Sequence, residues 1–93
     1  MATGTATIDF GATPIDTATV LVSGLSGLSV GTHKEAFFQD DDTATGNTAD
    51  DHKFMRMFAR AGCEYVSATE MNINVYLQAG QATGQFTVHY ATV

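Results

Sequence analysis

Three histidines, one cysteine and a run of aspartates are the side chains of this 93-residue sequence best suited to chemistry, and most of them fall between His33 and Cys63. Asp40, Asp41, Asp42, Asp50 and Asp51 bracket the polar stretch T-A-T-G-N-T-A and make up five of the ten acidic residues. Clustered carboxylates suit a hard cation such as calcium, which makes Asp40, Asp42, Asp50 and Asp51 the candidate ligands if the loop folds back on itself. The helix-loop-helix calcium pattern fails, however. With Gly46 at its sixth position, the twelfth falls on His52 where a glutamate is required. A solvated or partner-facing acidic loop is the simpler reading, because like charges repel and stay wet.

His33 and His52 each precede a lysine and an aromatic segment, which invites a zinc reading. If those segments pair antiparallel about the centre of the loop, His52 falls opposite Gln39 and His33 opposite Phe58, too far apart to share an ion. His89 belongs to the less apolar face of the last strand. Cys63 has no second cysteine to bond and no neighbouring histidine to activate it, so it reads as a small buried thiol. No nucleophile motif is present, and no carboxylate pair is framed by apolar residues that would separate two pKa values. The expectation is a protein without catalysis, metal or cofactor.

The elements that carry these residues read mainly as short strands. Thr3 to Phe10 alternates with Ala6, Ile8 and Phe10 on one face, and Asp16 to Ser23 follows after a break at Pro14. Leu21 interrupts the second alternation, which suggests cover on both faces or contact with another chain. Gly24 to Gly31 is a glycine-hinged connection whose Leu25, Leu28 and Val30 tuck into the core. Thr32 to Gln39 is expected as a third strand, with Phe37 and Phe38 on opposite faces. Thr48 with Asp51 three residues later resembles a capping box, Lys53 to Arg60 are mostly good helix formers and Gly62 sits where a C′ glycine would, so helix and strand compete over residues 54–60. One helical turn at residues 48–53 feeding a strand from Phe54 to Ala59 is the expectation. Cys63 to Ser67 is a further short strand. Met71 to Leu77 and Phe86 to Tyr90 alternate most regularly and are expected to form a C-terminal hairpin around A-G-Q-A-T-G. The whole is expected to be one all-β domain over residues 1–93, a small antiparallel β-sandwich or flattened barrel of about seven strands.

Composition narrows the partners. Hydrophobic residues make up 44% and charged residues 15%, and the net charge is −6 with four Lys and Arg. Such a chain has no footprint for a phosphate backbone and is repelled by an anionic membrane, so neither nucleic acid nor membrane is expected. The opening M-A-T-G-T-A-T lacks the basic and apolar regions of a secretory signal. Aromatic and sulfur side chains crowd both faces of the segments around the acidic loop, beyond what one small core absorbs. Phe37, Phe54, Arg56, Phe58 and Arg60 are therefore the candidate interface, with the arginines facing the acidic loop of the same chain or a neighbour.

T-I-D-F-G-A-T-P-I-D at Thr7 to Asp16, T-A-D-D-H at Thr48 to His52 and G-Q-F-T-V at Gly84 to Val88 resemble segments of small open reading frames from tailed bacteriophages. The resemblance brings no catalytic or binding residues with it. It implies a virion structural protein assembled in the host cytoplasm, above all a capsid decoration (cement) subunit. Such a subunit would sit on the major capsid protein or neighbouring virion proteins as a homo-oligomer, with a trimer favoured. The competing expectation is a tail-fibre or receptor-binding module that recognises host glycan through Asn47, Asn72, Asn74 and Tyr76.

Overall fold

A computed structural model describes residues 2–92 and shows two three-stranded antiparallel sheets packed face to face, with one short helix at their side. The strands are β1 (Ala2–Asp9), β2 (Thr17–Val22), β3 (Lys34–Phe37), β4 (Ala59–Ser67), β5 (Glu70–Leu77) and β6 (Gln85–Thr92), and the helix α1 spans Ala49–Phe58. One sheet runs β1-β6-β3 and the other β2-β5-β4. Neither closes into a barrel. The arrangement is an open sandwich of six strands, and β1 touches β2 while β3 touches β4 across the gap.

The alternation read from the sequence supplies the core. Ile8, Phe86 and Val88 come from one sheet, and Val22, Met71, Ile73, Val75 and Leu77 from the other, all buried. Phe86 sits at the centre of an aromatic cluster, with Phe10 edge-on at 5.6 Å, Phe38 edge-on at 6.4 Å and the His52 ring at 5.1 Å. Edge-to-face contacts match the negative face of one ring to the positive edge of another and add to the area they bury. On β1, a Cβ at Gly4 would come within 2.6 Å of the Tyr90 hydroxyl, so a side chain there would have to displace the Tyr90 ring.

Several expectations fail. The strand expected at Phe54 to Ala59 is helix, and the expected turn at 48–53 continues through Phe58. Alternation carried little information there, because both putative faces were apolar apart from Arg56 and could not distinguish period 2 from period 3.6. Ala59 then adopts extended backbone (φ −103°, ψ 146°), so α1 runs directly into β4, which begins well before Cys63. The expected hairpin of residues 71–92 does not form. β5 and β6 lie in different sheets, and their connection is held by mutual Ile15 and Ala82 backbone bonds of 3.1 and 2.9 Å. Only β4 to β5 stays within a sheet. Nor do the two segments flanking the acidic loop pair, since β3 pairs with β6. In the glycine-rich connection Leu28 is buried and Leu25 partly so, but Val30 is 80% exposed.

Candidate functional site

The T-A-D-D-H segment and the residues just before it are built around a gap in a sheet. β6 pairs with β1 along its whole length, but β3 covers only Thr92 back to His89. Beyond that point no strand among the described residues lies beside the other edge of β6. Side chains take the strand's place. Asn47 Nδ2 donates to the carbonyls of Gln85 (2.7 Å) and Thr83 (3.2 Å), and the Thr87 N–H donates to His52 Nε2 at 2.9 Å. Gly84, at φ +78°, lets Asn47 approach, since a Cβ there would lie 3.0 Å from its amide nitrogen.

His52 is fully buried, and both its partners have fixed roles. The Thr48 carbonyl, 2.9 Å from Nδ1, can only accept, and the Thr87 N–H can only donate. The imidazole is therefore neutral with its proton on Nδ1. The helix that holds it begins with a complete capping box: Asp51 N–H donates to Thr48 Oγ1 (3.3 Å) and Thr48 N–H to Asp51 Oδ2 (2.8 Å). Thr48 and Asp51 satisfy orphan donors at the helix start, where negative charge is also favoured by the helix dipole.

With His52 and Met55 buried, the opposite side of α1 is left open. Phe54, Met57 and Phe58 are 40, 56 and 39% exposed. Residues three and four apart share a helix face, so the three make one apolar patch, with the Phe54 and Phe58 rings 4.8 Å apart. Beside it lies a groove of about 290 Å³ lined by Asn47, Asp51, Phe54, Met55, Gln81 and Thr83 among others. Of this patch the sequence reading named Phe54 and Phe58 and missed Met57. The Phe54-Met57-Phe58 spacing was the available signal, and the strand assignment hid it.

The remaining candidate interface residues go elsewhere. Phe37, 40% exposed, points out of the β1-β6-β3 sheet and stacks on His89 at 5.6 Å. Arg56 projects from the other side of α1 onto Asp40, and with Phe37 it borders a hollow of about 140 Å³ between β3 and β4. The hydrogen bond and charge of Asp40 raise the Arg56 guanidinium further above its ordinary value. Arg60 lies on the outer face of the β2-β5-β4 sheet, opposite Tyr76.

The acidic loop is distributed in the same way. Asp40 bonds Arg56, Asp42 accepts from His89 Nε2 at 2.6 Å, Asp51 belongs to the capping box, and Asp50 lies in the first turn of α1. Among the described residues no three His, Cys, Asp or Glu side chains come together as a metal site. His33 meets Glu35, at 3.4 Å. Of the glycan candidates, Asn72, Asn74 and Tyr76 share the outer face of β5, where Asn74 bridges Thr19 and Glu64. Asn47 is spent on the β6 edge. Cys63 lies half-buried on the inner side of β4, and burial pushes its thiol up, partly offset by Lys34. No helix among the described residues is long and apolar enough to cross a membrane.

No protein family, curated protein or solved structure matches the chain.

Proposed function

We propose that this protein is a structural subunit that works by docking on another protein through the outer face of α1. The observation that carries the reading is the patch of Phe54, Met57 and Phe58, left open on a helix whose opposite face is locked into the core. Adjacent apolar side chains on a small domain of net charge −6 cost solubility and are retained where a partner covers them. Joined to the phage resemblance of the sequence, the reading becomes a virion decoration subunit seated on the major capsid lattice. Immunogold electron microscopy of phage particles, with antibody raised against the chain, tests it. Gold spread over heads supports decoration, and particles without gold refute a virion role. A Phe54→Ser/Met57→Ser variant that rebinds depleted particles as well as the wild type refutes the helix face as the contact.

A second reading rests on a separate surface. The outer face of the β2-β5-β4 sheet sets Tyr76, 51% exposed, beside Arg60 and in line with Asn74 and Asn72. An aromatic ring among amides and charges is the chemistry that holds a sugar ring, as a receptor-binding module of a tail fibre would. Gold confined to tail tips, with binding on an array of host saccharides that Tyr76→Ala abolishes, would favour it over decoration.

A further inference from the structure

The two flanks of the sandwich are built differently. On one, the edge strands β3 and β4 carry Lys34, Glu35, Arg60 and Glu64, and the register of β4 is broken by a bulge between Tyr65 and Ser67. Lys34 alternates with the exposed Glu35 and lies on the inner side, where its Nζ donates to the carbonyls of Ser29, Val30 and Thr32. A short strand, an inward lysine and a bulge are the devices that stop an edge from pairing with another chain. The opposite flank has none of them. There β1 reads A-T-G-T-A-T-I-D and β2 T-A-T-V-L-V, with no proline, an unbroken register, and Asp9 at the end of β1 as the sole charge.

The contact between His52 and Thr87 shows which groups of β1 stand open. In an antiparallel ladder the N–H and C=O of one residue point to the same side, and successive residues alternate. Thr87 directs its N–H to His52, away from β1, so Phe86, Val88 and Tyr90 are the residues of β6 that bond β1, through Ile8, Ala6 and Gly4. The peptide groups of Thr3, Thr5 and Thr7 therefore face away from the sheet. Among the described residues they have no backbone partner.

We infer that the β1 edge is a self-association surface and that its occupant is β1 of a second copy of this chain. A two-fold axis at Thr5 sets Thr3 of each copy opposite Thr7 of the other and Thr5 opposite Thr5. All three are outward-facing positions, so each facing pair exchanges both of its bonds, about six in all. The edge is complementary to itself for this reason, and no charge lies at its centre to oppose its own copy. Threonine faces threonine on the outer surface, a favourable cross-strand pair. The product is one continuous six-stranded sheet. α1 lies on the far side of β6 from β1, so its apolar patch stays free in the pair, and the inference stands whether or not that patch docks on a capsid.

The test is sedimentation velocity on the full chain over a concentration series, with amide hydrogen exchange at low and high concentration. Thr5→Pro deletes an N–H that the β1-β6 ladder does not use, and proline is tolerated on an edge strand in that orientation. Thr5→Lys places two ammonium groups face to face at the axis. The wild type is expected to pass from monomer to dimer with the amides of Thr3, Thr5 and Thr7 slowing as it does so. Both variants are expected to dimerise at least tenfold more weakly while keeping the wild-type circular dichroism. A wild type monomeric throughout, dimers undiminished in both variants, or slowed exchange confined to another strand would overturn the inference. If a variant does not fold, the wild-type exchange pattern decides alone.

Discussion

Replacing His52 by leucine keeps a buried apolar side chain of similar bulk and removes both ring nitrogens. The Thr48 carbonyl loses little, because it still accepts the backbone N–H of residue 52 at 3.1 Å. The Thr87 N–H loses its acceptor altogether, on the stretch of β6 that β3 does not cover. An orphaned buried donor costs about 1–3 kcal/mol. Taken as about 2 kcal/mol, and with each kcal/mol worth about 4–8 °C in a domain of this size, the melting temperature should fall by about 8–16 °C. His52→Gln separates hydrogen bonding from packing, because its Oε1 can reach the place of Nε2 and accept from Thr87. It should recover a measurable part of the loss. Thermal melts of the three proteins, with hydrogen exchange at the Thr87 amide, make the comparison, and imidazole 15N shifts should report Nε2 as the unprotonated nitrogen. A leucine variant as stable as the wild type, or a glutamine variant no better than leucine, would refute the view that the imidazole replaces a strand.

Thr48→Ala removes the hydroxyl that accepts from Asp51 N–H and should cost about 1 kcal/mol in denaturant unfolding, while Thr48→Ser should cost little. Phe54→Ser/Met57→Ser should lower the unfolding free energy by about 1–2 kcal/mol, because Phe54 is 40% exposed and loses its ring contact with Phe58, and should show a further effect in partner binding. Because Asp40, Asp42, Asp50 and Asp51 have separate partners or positions, calcium or a chelator should leave the melting temperature unchanged; a calcium-induced rise would reinstate the ion reading. Burial raises the Cys63 thiol above its unfolded value, so the folded state holds that proton more tightly. Its contribution to stability is full below the ordinary thiol range and is lost as pH rises through and above it. Alkylation of the native protein near neutral pH should be slower than that of the unfolded chain, and Cys63→Ala should flatten the alkaline decline.

Most of the strands and their faces were written locally. In β5, Met71, Ile73, Val75 and Leu77 are buried as their period-2 spacing requires, and Ile8, Phe86 and Val88 behave likewise. The capping box was equally legible, because Thr48 and Asp51 satisfy each other within one turn. Where α1 ends was not. Once Met55 packs inward with His52, the outward turn of Phe54, Met57 and Phe58 follows from helix geometry, but the sequence offered strand and helix the same apolar residues on every face.

The sequence by itself determined the β-rich class, the apolar face of each regular strand and the start of the helix. These depend on side chains two to four residues apart. Only the tertiary structure decided that β5 and β6 part into different sheets, that β3 stops short along β6, and that Asn47 and His52 fill the space it leaves. Those outcomes depend on how two apolar sheet faces meet across the core, and on backbone groups whose need for a partner arises only after distant strands have paired.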